Sequence, residues 1–137
     1  MPRPPPLIAD LIAASQAHDL DRLSALHALD YQGMDVARKE PLIGRAGARA
    51  ALVDYLQAFP DVTWTTEQVL HMGNCLVLRW SAVGTHQGVL MHIPATGRRV
   101  HVAGVSILHL RDGLIWRGQT IWDVAGLLRG LGLLPDL

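Results

Sequence analysis

Two titratable side chains carry most of the chemistry this sequence could do. Asp35 stands in Y-Q-G-M-D-V, near the end of a short strand predicted over residues 31–36. A carboxylate so placed can take a proton from an acidic carbon and return it to an oxygen. Equally, it can sit in solvent and pair with Arg38 or Lys39. His86 closes G-T-H at the end of another strand. Its imidazole can shuttle protons or hydrogen-bond a carbonyl, or be held by the backbone of the loop that follows. Asp123, directly after Trp122, is placed to accept backbone N–H groups at the start of the last helix, a capping role.

Other chemistries lack their parts. The chain has seven histidines, yet no H-x-H, no H-x-x-x-H and a single cysteine, so no metal site is expected. Ser106, in G-V-S-I-L, lacks the second glycine of a nucleophile elbow. Cys75 has no neighbour that would activate its thiol. Gly126, Gly130 and Gly132 mimic a dinucleotide-binding pattern, but the chain stops five residues later, leaving no room for a crossover to a parallel strand. No cofactor is expected.

The elements that must position these groups are legible in the spacing. Leu7, Ile8, Leu11 and Ile12 repeat at helical period. Asp19 is placed to N-cap a second helix buried through Leu20, Leu23 and Leu26. A third helix follows Gly47, with Ala51, Leu52, Tyr55, Leu56 and Phe59 on one face, and Pro60 ends it. Beyond Pro60 the period changes to two. A strand carrying Val62, Trp64 and Thr66 turns at Met72-Gly73-Asn74 and returns through Leu76, Leu78 and Trp80. Residues 87–97, with Pro94 and two glycines, read as a loop. Strands over 98–110 and 114–121 are joined by Arg111-Asp112-Gly113, a hairpin signal because Asp-Gly tolerates positive φ. A final helix presents Val124, Leu127, Leu128 and Leu131. The pattern is α+β, with no βαβ unit.

Composition excludes several partners. Twelve Lys plus Arg balance twelve Asp plus Glu, so nothing points to nucleic acid or an acidic membrane. The apolar runs are too short to span a bilayer. M-P-R-P-P-P lacks the apolar core of a signal peptide, so residues 1–6 are expected to form a flexible, Pro-rich arm and 7–137 a single domain. One lone cysteine suits a reducing cytoplasm.

Several stretches also arrive in one order: R-W-S-A-V-G-T-H-Q-G from Arg79, then I-P-A-T-G-R-R-V, G-V-S-I-L, R-D-G-L-I and W-D-V-A-G-L-L-R-G-L-G. With A-F-P-D-V at residues 58–62, this order resembles the SnoaL-like polyketide cyclases (ester cyclases) of the nuclear-transport-factor-2-like superfamily. The resemblance implies a cone, a curved antiparallel sheet wrapped around the N-terminal helices with a deep pocket. It implies an aldol cyclisation of a polyketide, with a carboxylate on the last strand as general acid/base and a histidine on the preceding strand assisting. The matching positions here are Thr120 and Ser106. A hydroxyl cannot serve as general base near neutral pH, so both positions keep a small hydrogen-bonding group and lose the titratable one. Asp35, on a strand that lines the pocket mouth in this fold, and His86 are then the candidate catalytic residues. Tyr31, Gln119 and Thr120 are placed to polarise a substrate oxygen. The resemblance puts Trp80, Trp116 and Trp122 on the strands that line the cone and Trp64 on an earlier one; beside the small Gly118, Thr120 and Ser106 they would form a slot for a planar ligand.

Three functions compete. The first is a cyclase or isomerase moving a proton on a small apolar carbonyl compound, polycyclic ones included. The second is a pocket that binds such a ligand without catalysis. The third is an epoxide hydrolase on the same cone, which needs two carboxylates bridged by an arginine; Arg79 and Asp123 are present, but Thr120 replaces the last-strand carboxylate. His101 and His109 share a strand parity opposite to Ser106. With Ala103, Val105 and Ile107 they form an outer face suited to a homodimer or higher homo-oligomer.

Overall fold

The computed structural model describes residues 5–136. The expected arm lies mostly outside them; Pro5 and Pro6 lead straight into α1 (Leu7–Gln16), with the Pro5 carbonyl accepting from the Ile8 N–H at 3.1 Å. His18, at φ 53°, turns the chain into α2 (Leu20–Ala25), where the Asp19 side chain caps by accepting the Arg22 N–H at 3.1 Å.

Strand β1 (His27–Asp35) begins four residues earlier than its sequence pattern suggested. A two-residue strand, β2 (Leu42–Ile43), pairs with it and leads into α3 (Gly44–Ala58). Helix α3 is rich in alanine, a strong helix former, and Phe59 and Pro60 end it. Ala48, Ala51, Leu52, Tyr55 and Phe59 recur at spacings of three and four, so one face of α3 turns inward.

Four long strands follow: β3 (Thr63–Met72), β4 (Cys75–Thr85), β5 (Arg99–Arg111) and β6 (Leu114–Trp122). Asp112 and Gly113 both adopt positive φ, at 53° and 76°, giving the tight turn the Asp-Gly pair requires between β5 and β6. Helix α4 (Val124–Gly130) closes the fold against β5, capped by Asp123, whose Oδ1 accepts the Gly126 N–H at 2.8 Å.

The strands form one sheet in the order β2-β1-β6-β5-β4-β3. The sheet is mixed and not wholly antiparallel: β1 runs parallel to β6 because the chain makes a long excursion between them. Helix α3 lies against β1, α1 reaches β3, and the sheet curves around the space between. Two apolar clusters border that space. One gathers Tyr31, Leu78, Leu108 and Ile115, the other Phe59, Ala82, Val100 and Leu127. Among the described residues, no helix is long and apolar enough to cross a membrane.

Candidate functional site

A cavity of about 280 Å³ lies between the inner face of the sheet and the helices. Leu11 and Ile12 of α1, Leu52 of α3, and Leu78 and Leu108 of the sheet give it apolar walls, and Trp64, Trp80 and Trp122 add aromatic surface. Among the described residues lining it, Asp35 is the one carboxylate.

Asp35 is 6% exposed and held by three donors. Its Oδ1 accepts the Ala37 N–H at 2.9 Å and the Trp122 indole N–H at 2.9 Å, while Oδ2 accepts the Tyr55 hydroxyl at 2.6 Å. A carboxylate oxygen offers two lone pairs, so Oδ1 is filled and Oδ2 keeps one site free. The Arg38 guanidinium stands 3.8 Å from Oδ2, bonds Asp54 at 3.2 Å and lies over the Tyr55 ring at 5.1 Å. Burial, and then the hydrogen bond to Asp35, push the Tyr55 phenol well above its ordinary range, so it stays a donor.

Register places the rest of the polar wall. Asp35 is the cross-strand partner of Thr120, and Thr120 is the partner of Ser106. All three line the cavity, so they form one row across β1, β6 and β5. Trp80 donates its indole N–H to Ser106 Oγ at 3.1 Å, fixing that ring on the wall. Tyr31, two turns of the pleat before Asp35, also points inward, and no hydrogen bond joins its hydroxyl to another described residue. Burial, with the Asp35 charge adding to it, pushes the Tyr31 phenol up to about 12. The ring fits because Gly33 and Gly118 face it: a Cβ there would stand 2.1 Å and 2.6 Å from the hydroxyl oxygen.

Of the residues read from sequence, Asp35, Tyr31, Trp80, Ser106, Thr120 and Trp122 line this cavity together. Gln119 does not: it alternates with Gly118 and Thr120, so its exposed side chain shares the outer face with Ile107. His86 does not line the cavity either. It is fully buried beyond the cavity wall, against Phe59 at 5.5 Å, and its Nδ1 accepts the Thr96 N–H at 3.2 Å. There it holds the loop between β4 and β5, the alternative role its position allowed. Trp116 leaves the wall because pairing jumps from His109↔Arg117 to Leu110↔Ile115, making it the extra residue of a bulge. Its ring carries Arg117 at 4.2 Å and Arg111 at 4.8 Å. Arg79, hydrogen-bonded to Gln68, and Asp123, capping α4, do not line the cavity, so the arginine-bridged pair of an epoxide hydrolase is not assembled from them.

Two polar residues of the cavity wall escaped the sequence reading. Tyr55 stood in the apolar stripe of α3, where a lone phenol among Ala, Leu and Phe was the signal. His27 was hidden because the strand was begun at Tyr31. It lines the cavity, and burial pulls its pKa below the ordinary imidazole value.

The sequence profile of the SnoaL-like polyketide cyclases matches residues 7–131. The chain belongs to that family. No curated protein matches this SnoaL-like protein significantly. Its fold is the nuclear-transport-factor-2-like fold of solved relatives. IdmH from Streptomyces antibioticus, described as a proposed polyketide cyclase, is 30% identical with a TM-score of 0.77, covering 91% of this chain and 95% of its own. AclR from Streptomyces galilaeus, described as a proposed hydroxylase, is 26% identical with a TM-score of 0.83, covering 96% and 85%. A protein of ketosteroid-isomerase-like fold from Catenulispora acidiphila, at 18% identity and TM-score 0.80 over 96% of each chain, shares the fold alone.

Proposed function

We propose that this SnoaL-like protein binds a small, planar, apolar carbonyl compound in its cavity and moves a proton on it, in the manner of an aldol cyclase or isomerase. The observation that carries the reading is the lone carboxylate of Asp35 inside an apolar cavity, with one lone pair of Oδ2 unclaimed. Oδ2 takes a proton from the carbon next to the carbonyl. The Tyr31 hydroxyl, protonated throughout the neutral range, donates to the oxygen as it becomes an enolate. In a cyclisation the enolate carbon attacks a second carbonyl of the same molecule, and the proton on Asp35 passes to the new alkoxide. The tryptophans exclude water and hold the ligand flat. The row Asp35–Thr120–Ser106 supports this: the carboxylate stands one strand, about 4.8 Å, from the position where family resemblance expects it.

The test is deuterium uptake at the α-carbon of a panel of enolisable aromatic β-keto esters, followed by NMR. The protein is expected to catalyse exchange, and Asp35→Asn to lower the rate by roughly 10²–10⁴-fold. Exchange that survives in Asp35→Asn removes Asp35 as the base. Ligands that bind without any exchange point to the second reading, a binding module, which the replacement of both family acid/base positions by hydroxyls favours.

The outer sheet face is proposed to pair two copies of the chain. Leu70, Val77 and Ile107 form one cross-strand row and Val105 and Ile121 part of the next, with Leu70 55% and Ile121 46% exposed. A monomeric mass by light scattering would remove this.

A further inference from the structure

The ring of His27 is fixed in one tautomer by its surroundings. Its Nδ1 lies 2.8 Å from the Leu23 carbonyl oxygen. A carbonyl only accepts, so Nδ1 carries the proton and donates. Nε2 then presents a lone pair, and no hydrogen bond joins it to a described residue. The ring cannot swing away easily. It packs edge-on against Tyr31 at 4.8 Å between centroids, and Arg45 anchors the His27 carbonyl at 2.8 Å. Burial, aided by the Arg45 charge, keeps this imidazole neutral at neutral pH, so the lone pair stays available.

His27 lines the same cavity as Asp35 but at its other end. His27 pairs with Ile115 and Asp35 with Thr120, so the two are separated by five residues of β6, roughly 17 Å of backbone. His27 packs against Tyr31, which clusters with the apolar Leu78, Leu108 and Ile115 of the cavity wall. An acceptor in such a setting discriminates, because a ligand without a donor leaves Nε2 bare.

We propose that His27 Nε2 is a specificity-determining acceptor for a ligand hydroxyl, so the ligand is a planar carbonyl compound bearing a phenol-type hydroxyl at the end remote from the reacting carbonyl. This rests on the cavity being the ligand site, with the carbonyl toward Asp35 and Tyr31. His27 is not a catalytic residue in this arrangement; it sets which molecule enters and in which direction.

Three matched probes test it: 2-acetonaphthone and its 6-methoxy and 6-hydroxy derivatives, titrated against the full chain by tryptophan fluorescence at pH 7.5. The hydroxy compound is expected to bind roughly fivefold to tenfold more tightly than the methoxy compound, the range of one good hydrogen bond. His27→Asn keeps a donor for the Leu23 carbonyl and has nothing where Nε2 stood, so the preference should vanish while methoxy binding changes less than about twofold. Asp35→Asn should leave the preference intact. Should His27→Asn fail to fold, ¹⁵N spectra of histidine-labelled wild type decide instead: the His27 Nε2 resonance should shift with the hydroxy probe and not with the methoxy probe. Equal affinities in wild type, a preference that survives His27→Asn, or an unmoved Nε2 resonance each overturn the assignment. If none of the three probes binds, the cavity reading falls and this inference falls with it. Hydroxyl preference without proton exchange would sink only the catalytic reading.

Discussion

Replacing Gly118 by alanine asks whether the Tyr31 hydroxyl stands where the site needs it. The added Cβ would sit 2.6 Å from that oxygen, 3.3 Å from Cε2 of the same ring and 3.4 Å from Leu108 Cδ2. Unstrained heavy-atom contacts lie near ~3.5–4.0 Å, so the first contact is prohibitive and the other two yield to shifts of tenths of an ångström. Overpacking of this kind costs about 1–3 kcal/mol. Exchanging glycine for alanine also restricts the unfolded chain, which returns roughly 0.4–1 kcal/mol. The net expectation for Gly118→Ala is a loss of about 1 kcal/mol, the difference of those two ranges running from about 0 to about 2.6 kcal/mol. In a Tyr31→Phe background the oxygen is gone and Gly118→Ala should be near neutral. Gly33→Ala behaves differently, because its Cβ would also meet Tyr31 Cζ at 2.6 Å and Cε1 at 2.9 Å. Tyr31→Phe should therefore rescue Gly118→Ala and leave Gly33→Ala destabilised. Urea unfolding of the two double-mutant cycles measures both couplings. Equal costs of Gly118→Ala in the two backgrounds would refute this placement of the phenol.

Two further outcomes follow from the buried titrating groups. His27 has a folded pKa below its unfolded value, so its contribution to stability is complete above about pH 7 and is lost as pH falls, because the unfolded chain takes the proton first. Wild type should lose more stability than His27→Asn between pH 7.5 and 5.5 in urea titrations; equal losses would mean the imidazole is not desolvated. Both tyrosines of the chain have raised folded values, so what they contribute is present below about pH 10 and lost as pH climbs toward the folded range. Phenolate absorbance should stay low through pH 10.5 and rise together with unfolding; ordinary titration at pH 10 would place both phenols in water.

Much of the fold was legible because hydrophobic period alone separates helix from strand. Alternation after Pro60 gave the hairpins, Asp112-Gly113 the tight turn, and Asp19 and Asp123 the two caps. What failed was whatever depends on a shift of register. The bulge at Trp116 moved an aromatic off the wall, although its parity matched Trp122. Between His27 and Gln32, five steps of β1 oppose two of β6, an irregularity no alternation reports, and the start of the strand was missed with it. The parallel pairing of β1 with β6 is a tertiary fact, since nothing local in Tyr31–Asp35 names a partner strand. His86 was legible as a strand-end histidine, but G-T-H does not report the side on which the ring packs. Asp35 was legible as a carboxylate and not as a triply bonded one, because its donors come from α3 and β6, sequence-distant by 20 and 87 residues.

The row of Asp35, Thr120 and Ser106 permits a sharper test of where this family can keep its base. Neighbouring strands lie about 4.8 Å apart, so moving the carboxylate from β1 to β6 translates it by less than the width of a ring. Thr120→Asp in the Asp35→Asn background should therefore recover a measurable part of the proton exchange lost by Asp35→Asn alone. The amide introduced at position 35 can still donate across the row, and Ser106 still faces the neighbouring strand. Thr120→Asp alone should behave worse than the pair, because two buried carboxylates one strand apart cannot both ionise without a large electrostatic cost, and one is held protonated. The ordering of exchange rates decides the matter. A folded, ligand-binding double variant with no more activity than Asp35→Asn would mean that position within the row matters, and that the Tyr55 and Trp122 donors do more than hold the carboxylate in place. Recovery would make the row itself the catalytic unit, with the sheet register fixing which strand supplies the charge.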